Sequence, residues 1–549
     1  MKLNLLIYCL ISCLALSACN PSPPNSIPTA QAVVADPDRI KSHLKFLSDD
    51  LLEGRDTGSR GHEIAALYIA SEFAKYGLTP AGDDNSYLQG IKFRQSFLEQ
   101  GSPKLSLINS TGVQALSYPK HYLTGASAVS ENTTLRGDVV FAGYGIIAPE
   151  LEHDDYQNLD VEGKVVVVLS GKPKSFPSEE GAHFGSTSEK KRHAVENGAI
   201  GYITISTPTA EKVRPYQNLL NYLHTPRVRW LDVDGEAAGV FPELLNSAYF
   251  SKEAAEILFA GAPQNITQLY QMLEQDASPK GFPLPVSIDF SKRSAHKLIT
   301  SPNVVAILEG SDPQLKNEYV LYSAHSDHIG FAKTVKKDKI NNGAMDNASG
   351  ISVLLETARL FGLMDKAPKR SILFVAVTGE EKGLLGSDYY AKNPTVPVGS
   401  MVANVNLDMP ILTYEFADVI AFGAEHSDLK TSVALAAEKI GLSLSPDPWP
   451  DQALFTRSDH YSFVKQGVPA VFLVPGLQSA DPQIEGSEQF DLFLQTNYHK
   501  PGDDFSQAFN WKAATKFTEV NYHIGLTLAQ QRERPKWNEG DFFGDTFGN

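Results

Sequence analysis

Most of the residues that could carry chemistry lie just after predicted strands in the middle of this chain, and Asp346 stands just before a predicted helix. They are acidic or imidazole side chains: His325, Asp327, Asp346, Glu380, Glu381 and Asp408. Because ligands of open α/β sheets bind at the carboxyl ends of strands, we expect these side chains to share one cleft. Carboxylates crowded into a buried cleft take up protons unless something neutralises them. Bound divalent cations would do so, and a metal centre is therefore predicted.

The donor types narrow the choice of metal. The cysteines stand only at positions 9, 13 and 19, within a predicted signal peptide, so thiolate ligands are excluded. Oxygen ligands supplemented by imidazole suit zinc, cobalt or manganese, and zinc is the commonest hydrolytic choice. His499 in "NYHKPGDD" offers a second imidazole, beside acidic residues that could orient it. One carboxylate shared by two metals is the usual arrangement for hydrolysis.

The elements that must position these residues alternate between strand and helix from residue 302 onward. Near-continuous apolar strands such as "SILFVAV" (371–377), separated by helices, indicate a mostly parallel or mixed central sheet with helices on both faces. The predicted fold class is therefore α/β. From about 130 to 290 the chain changes to short β-rich runs joined by Gly, Pro and Asn turns, which predicts an inserted β-rich domain.

Five segments, in this order, resemble the co-catalytic zinc exopeptidases (clan MH). They are "AHSDHIG", "GAMDNASG", "TGEEKGLLGS", "NLDMP" and "YHKPGDD". This family includes bacterial leucyl aminopeptidase and glutamate carboxypeptidase, with transferrin receptor as a non-peptidase branch. The resemblance implies that His325 and Asp408 bind one zinc ion, that Glu381 and His499 bind the other, and that Asp346 bridges the two.

The same resemblance implies roles for further residues. Glu380 becomes the general base toward the attacking water, and Asp327 a supporting partner of His325. The peptide bond after Asp346 is expected to be cis. Tyr498 is a candidate hydrogen-bond donor to the oxyanion, as a tyrosine is in the carboxypeptidase branch, with simple aromatic packing as the alternative.

The predicted activity is removal of residues from the amino end of peptides, with a peptide as the partner. A carboxypeptidase or dipeptidase of the same fold is the alternative, because Arg457 could hold a peptide carboxylate. Asp459 or His460 could also reach the cleft, but capping of a helix by Ser458 and surface exposure explain this segment equally well. A non-catalytic binding protein and a glutaminyl cyclase remain as other classes. The chain contains neither G-x-S-x-G nor H-E-x-x-H.

The amino terminus is typical of a secretory signal, with Lys2, an apolar stretch over 3–16 and small residues before Cys19. Its end, "LSAC", resembles the lipobox of bacterial lipoproteins. The implied protein is exported and lipidated at Cys19, and it faces the periplasm from the inner leaflet of the outer membrane. Membrane contact is expected only through this anchor. The formal charge of -16 argues against a nucleic-acid partner.

The predicted organisation follows from these features. It comprises a signal peptide (1–19), a tether (20–36), the N-terminal part of the peptidase domain (37–128), an inserted domain resembling the protease-associated domain (129–290), the catalytic zinc peptidase domain (291–535) and a C-terminal tail (536–549).

Overall fold

Two β-sheets organise the fold, and one long strand belongs to both. The computed structural model describes residues 34–333 and 335–548. The predicted signal peptide, the Cys19 anchor and the tether up to residue 33 lie outside these residues. Among the described helices, none has the length and apolar character that crossing a bilayer requires.

The strands range from two-residue pairings to one of 27 residues. In chain order they are β1 (Thr79–Pro80), β2 (Leu88–Leu98), β3 (Lys104–Asn109), β4 (Gly112–Leu116), β5 (Tyr122–Leu123), β6 (Asn132–Phe141), β7 (Ile147–Ala148), β8 (His153–Asp154), β9 (Val165–Leu169), β10 (Gly201–Ile205), β11 (Arg227–Trp230), β12 (Asn246–Phe250), β13 (Phe282–Leu308), β14 (Tyr319–His325), β15 (Ser371–Val377), β16 (Met401–Asn406), β17 (Asp418–Phe422), β18 (Ser443–Ser445) and β19 (Ala470–Pro475).

The α-helices flank these strands. In chain order they are α1 (Pro37–Leu47), α2 (Arg60–Lys75), α3 (Ser178–Gly185), α4 (Thr187–Glu196), α5 (Pro208–Val213), α6 (Tyr216–Leu219), α7 (Lys252–Leu258), α8 (Ile266–Glu274), α9 (Gly350–Gly362), α10 (Leu385–Lys392), α11 (Leu429–Lys439), α12 (His460–Val464), α13 (Gly486–Thr496), α14 (Trp511–Gln530) and α15 (Phe542–Phe547).

The central sheet has the order β18–β17–β19–β16–β14–β15–β13, with β2 and then β11 beyond β13. Strands β15, β14, β16 and β19 run parallel to one another, whereas β13 and β17 run antiparallel to their neighbours β15 and β19. Because helices lie on both faces, the parallel strands are buried at every residue except Tyr319, the half-buried first residue of β14. The predicted mixed α/β sheet is confirmed.

Alternate side chains of β15 show how the two faces are covered. Val375 packs with Tyr390 of α10 on one face. On the other face, Phe374 stacks on Tyr322 of β14, with ring centroids 5.5 Å apart, and contacts Phe361 of α9. Burying each large apolar side chain contributes about 1.5–3 kcal/mol. The strand ends therefore project from a rigid, well-packed support.

The second sheet is built on the first half of β13. Its order is β4–β3–β13–β6–β9–β10–β12–β5. Strand β9, "VVVVL", is fully buried, and the sheet has a core of its own that includes Phe141, Phe250 and Phe290. Strand β13 runs without a break through residue 290, the predicted end of the inserted domain. The division into domains stays a prediction.

Candidate metal centre and active site

The carboxyl ends of three neighbouring strands bring most of the predicted site residues together. His325 is the last residue of β14, Glu380 and Glu381 follow β15, and Asp408 follows β16. Asp346 lies in the turn Ala344–Ser349, which leads into α9. Because β14 runs parallel to β15 and to β16, these ends open on the same edge of the sheet.

His325 forms one half of the cluster with two carboxylates. Its Nε2 lies 3.0 Å from Asp408 Oδ1 and 3.3 Å from Asp346 Oδ1. The other ring nitrogen, Nδ1, donates to the backbone carbonyl of Asp327 at 3.1 Å. With Nδ1 used as the donor, Nε2 is the nitrogen available to a cation. The Asp346–Asn347 peptide bond is cis, as the family resemblance implied.

His499 forms the other half of the cluster around the same aspartate. Its Nε2 lies 3.2 Å from Asp346 Oδ2 and 3.3 Å from Glu381 Oε2. Asp346 thus directs one carboxylate oxygen toward His325 and the other toward His499. This is the arrangement expected of a carboxylate shared by two cations.

His328 also belongs to the cluster, and the sequence analysis did not single it out. Its side chain is buried, and Nδ1 lies 2.7 Å from Glu381 Oε1. The pair is not aligned for a hydrogen bond, so Glu381 Oε1 and both ring nitrogens of His328 have no hydrogen-bond partner among the described residues. The available signal was its place three residues after His325 in "AHSDHIG".

The electrostatics of the cluster fit bound cations. Burial opposes the charged form of Asp346, yet hydrogen bonds with His325 and His499 hold its pKa well below the usual value. Burial would also lower the pKa of His499, but Glu381 and Asp346 raise it to about 11. These carboxylates demand positive charge, and with imidazoles and the unpartnered Glu381 Oε1 they form the donor set that zinc prefers.

Glu380 stands beside this cluster in a different electrostatic state. Burial, together with the negative charges of Glu381 and Asp408, raises the pKa of Glu380 well above its ordinary value. Its backbone N–H donates to Asp327 Oδ1 at 3.1 Å, and Thr57 donates to Asp327 Oδ2 at 2.9 Å. The Asp327 carboxylate therefore fixes the Glu380 turn, and it lies 4.0 Å from His325 Nδ1. Support of His325 by Asp327 comes from the backbone carbonyl instead.

Ser458 supports Asp408 and does not cap a helix. Its hydroxyl donates to Asp408 Oδ2 at 2.6 Å and accepts from Asn406 Nδ2 at 2.7 Å. Helix α12 begins at His460, and its first turn has no side-chain cap. The expected capping role is wrong because the hydroxyl is aimed back at the strand end. Such partners fix the direction in which a ligand carboxylate points.

The acidic residues next to His499 act on a different part of the site. Asp503 accepts hydrogen bonds from the backbone N–H groups of Met345 at 2.8 Å and Asp346 at 3.0 Å. Burial raises the pKa of Asp503 to about 6. Asp504 accepts from Ser506 N in its own turn. The expectation that these acids orient His499 is therefore not met, since Asp503 holds the Asp346 turn.

Arg55 joins the loops that carry the cluster. Its buried guanidinium donates to the carbonyls of Ser326, Asn342 and Gly343 and to that of Leu47. Ser326 follows His325, and Asn342 and Gly343 precede the Asp346 turn. One side chain thus ties the loop after β14 to the loop before α9.

Tyr498 contacts a residue of the centre, whereas Arg457 is exposed to solvent. The ring of Tyr498 stacks on His499 with centroids 3.9 Å apart. Burial and the negative charge of Asp346 raise the pKa of Tyr498, so its phenol stays protonated. Arg457 is exposed, and its guanidinium makes no ion pair or hydrogen bond within residues 34–333 and 335–548.

Two further residues of that segment are fully buried. Asp459 has no hydrogen-bond partner of good geometry for either oxygen among the described residues. Burial, with a contribution from the charge of Asp408, raises its pKa to about 7. His460 packs between the rings of Phe455 and Phe472. Asp459 therefore lies within electrostatic reach of the cluster, whereas His460 is a packed core side chain.

Comparisons with known proteins agree with this geometry. Residues 303–524 match Peptidase family M28, which supports the peptidase side of the resemblance. An aminopeptidase of Bacillus subtilis is 31% identical over 212 residues, which are 37% of this chain and 40% of that protein. A probable leucine aminopeptidase 2 of Aspergillus oryzae is 27% identical over 263 residues, 45% of this chain and 50% of that protein. The chain thus spans half the length of these relatives or less.

A solved structure extends the likeness of fold to nearly the whole chain. The aminopeptidase from Aneurinibacillus sp. strain AM-1 superposes with a TM-score of 0.51 at 18% identity. The superposition covers 91% of this chain and 95% of that one. At this identity the likeness concerns the fold alone.

Proposed function

We propose that this protein is a zinc-dependent exopeptidase that removes residues from the amino end of peptides. The observation that carries the proposal is the position of Asp346, whose two oxygens face His325 on one side and His499 on the other. Two half-sites that share one carboxylate are the usual arrangement of two-metal hydrolases. The match of residues 303–524 to a peptidase family supports the same activity.

In this proposal His325 and Asp408 hold one zinc ion, Glu381 and His499 hold the second, and Asp346 contacts both. Cobalt or manganese could replace zinc, since the donors are oxygen and imidazole. When bound, the cations would polarise the scissile carbonyl and lower the pKa of the attacking water.

Glu380 is the proposed general base. Glu380 is half-buried next to the cluster, and its carboxylate holds a proton readily, as the raised pKa indicates. It would accept the proton of the attacking water and return it to the leaving amine. Asp327 keeps the Glu380 backbone in place by accepting its N–H. Loss of the Glu380 carboxylate should therefore remove proton transfer and leave the ligand set unchanged.

Tyr498 is the proposed donor to the oxyanion of the tetrahedral intermediate. Its phenol stays protonated, so it can donate a hydrogen bond, and its stacking on His499 fixes the ring beside the cluster. Replacement by phenylalanine keeps the stacking and removes only the donor.

A chromogenic amide of leucine tests the activity. The metal-loaded protein should release the chromophore, a chelator should abolish release, and added zinc should restore it. A peptide with an acetylated amino end should resist, while the same peptide amidated at its carboxyl end should be shortened. Shortening from the carboxyl end would instead support a carboxypeptidase, and release that persists without metal would contradict the proposal.

We further propose that residues 129–290, which supply most strands of the second sheet, form a protease-associated domain and that Cys19 is lipidated after export. The β-rich composition of 129–290 and the signal "LSAC" support these proposals. A Cys19→Ser variant expressed in a Gram-negative bacterium should move from the membrane fraction to the soluble periplasm. Equal partitioning of both forms would contradict the anchor.

A further inference from the structure

A cavity lies in the second sheet, and its wall carries an unusual charge. Its volume is about 470 Å³, and it is lined by parts of β2, β10, β11 and β12. A neighbouring cavity of about 260 Å³ shares Lys191 and Arg227 with it and adds Arg229 and Lys292. Neither lining contains an aspartate or a glutamate among the described residues. In a chain with a formal charge of -16, the lysines and arginines are therefore the charged side chains of this wall.

Among the described residues the four cations form no ion pair with a carboxylate, although the charge of Asp388 acts on Arg229 from a distance. They are Lys191, Arg227, Arg229 and Lys292. Lys292 is only 5% exposed, and its ammonium donates to the neutral oxygens of Thr124 at 3.1 Å and Gly125 at 2.8 Å. The ammonium of Lys191 lies 5.6 Å from the centre of the Tyr202 ring.

The cations also act on one another. Burial, strengthened by the charges of Arg227 and Arg229, lowers the pKa of Lys191 to about 8. Burial, with Arg227 and Lys191, lowers the pKa of Lys292 to about 7. The guanidinium groups cannot shed their protons in this way, so their positive charge persists at neutral pH.

The backbone makes room for one guanidinium. A Cβ on Gly125 would overlap Nε of Arg227, so any other residue at position 125 would displace this side chain. Arg227 is nevertheless exposed to solvent, because its head lines the open cavity. The charge is therefore held at the cavity wall and is accessible from outside.

Strand register separates this cavity from the metal centre. Arg227 pairs with Ser96, which pairs with His296 of β13. Val304 of β13 pairs with Ala376, one residue before the end of β15 at the metal centre. The stretch from His296 to Val304 spans about 26 Å at the rise of an extended strand. The two charged regions are distinct sites on one continuous strand.

We infer that the cavity binds a small organic anion with at least two negative charges, as a phosphate monoester or a dicarboxylate carries. Guanidinium groups bind both kinds of oxyanion through paired hydrogen bonds, and lysines add charge at short range. The hydroxyls of Thr187 and Ser247 on the same wall supply neutral donors. The volume accommodates a molecule larger than phosphate itself.

Titration calorimetry on the full-length, metal-loaded protein tests this site, with inorganic phosphate and succinate as the two probes and chloride as the singly charged control. At least one dianion should bind, and its Kd should rise at least about tenfold in Arg227→Gln and in Lys191→Gln. The exposed Lys297→Gln on the same strand as Lys292 is the matched control and should bind like wild type.

The outcomes separate the two ligand classes and the two sites. Binding of phosphate that depends on Arg227 supports a phosphate ligand, and binding of succinate that depends on Arg227 supports a dicarboxylate. Binding that survives both substitutions but disappears when a chelator removes the metal belongs to the catalytic centre and overturns the inference. If neither phosphate nor succinate binds, the inference is also overturned. Circular dichroism of each variant shows whether it is folded. If Arg227→Gln does not fold, the test rests on Lys191→Gln.

Discussion

The metal centre gathers negatively charged side chains, and the basic cavity gathers positively charged ones. The two regions differ in how firmly these side chains are fixed. At the centre, short side chains are fixed by donors from the scaffold, as Asp408 is by Ser458 and Asp327 is by Thr57. In the cavity, long side chains such as Lys191 and Arg227 have few fixed partners and face solvent. The difference fits the proposed resident ions at the centre and the proposed exchangeable ligand in the cavity.

The polarity of the surroundings explains why substitutions in the two regions are expected to have effects of different size. Charges at the buried centre interact in a medium of low polarity, where an unpaired carboxylate is costly. On the cavity wall the exposed charge of Arg227 is screened by water and salt, although Lys292 is buried. The largest effects are therefore expected at the metal centre and the smallest at the cavity.

Removing metal should have the largest effect. We expect a chelator to abolish peptidase activity and to lower the free energy of unfolding, because an ion present at 100 times its Kd stabilises the fold by about 2.7 kcal/mol per site. Calorimetric melting with and without zinc measures the change in stability. Binding of a dianion at the cavity should be unaffected, and its parallel loss would break the distinction between the two regions.

The substitution Glu380→Gln should have the second-largest effect on activity. Removing a general base costs about 10²- to 10⁴-fold in rate, while the metal ligands remain in place. We expect kcat to fall by this factor with unchanged zinc content by elemental analysis. The exposed Glu150→Gln is the matched control and should retain full activity. Zinc lost together with activity would make Glu380 a ligand instead of a base.

A third charged cluster, around His426, neutralises its carboxylates with a protonated histidine instead of a bound ion. His426 contacts Asp541 at 2.6 Å and also contacts Glu179, and these hydrogen bonds raise its pKa to about 10 against the opposing effect of burial. A histidine whose pKa rises on folding stabilises the fold fully below its unfolded pKa of about 6.5, and this contribution is lost as the pH rises through about 10.

We therefore expect the free energy of unfolding to fall by up to about 4 kcal/mol between pH 7 and pH 10. Denaturant titrations at several pH values measure it, and His426→Gln should flatten the fall. A chelator frees His499 to titrate as well, so the comparison is between wild type and His426→Gln, and the difference between their pH profiles should be the same with and without the chelator. If the chelator removed this difference, the cluster would depend on a metal and not on a proton.

Ser458→Ala tests whether the hydrogen bond from Ser458 to Asp408 supports metal binding, and a smaller effect is expected. Loss of a hydrogen bond that orients a ligand typically costs about 10- to 100-fold in metal affinity or activity. We expect zinc to bind more weakly in competition with a chromogenic chelator, while melting of the zinc-saturated protein changes little. Ser443→Ala, at an exposed position, should match wild type. An unchanged zinc affinity would show that Asp408 does not need this support.

Arg227→Gln in the absence of a dianion should have the smallest effect. Removing one of several like charges relieves repulsion, but solvent screening limits the gain to under about 1 kcal/mol. We expect a slight rise in the free energy of unfolding at low salt that disappears at high salt. A clear loss of stability would mean that Arg227 has a structural partner and that its charge is already compensated.

The fold class and the clustering of the site residues could be predicted from the sequence, because both follow from the order of strands and helices along the chain. Apolar strands alternating with helices indicate a sheet covered on both faces, and the polar residues that follow such strands meet at one edge. His325, Glu381 and Asp408 could therefore be placed together from their positions after β14, β15 and β16. The motif order added His499, which lies in a loop and follows no strand.

What the sequence by itself determined is which residues lie at strand ends and which faces are apolar, since backbone periodicity fixes both. Only the tertiary structure decided the partners. Ser458 meets Asp408 across 50 residues, and Asp503 holds the Asp346 backbone across 157 residues. The basic cavity likewise joins lysines and arginines from separate strands and helices. Contacts of this kind depend on how distant segments pack, and no local pattern of residues records that packing.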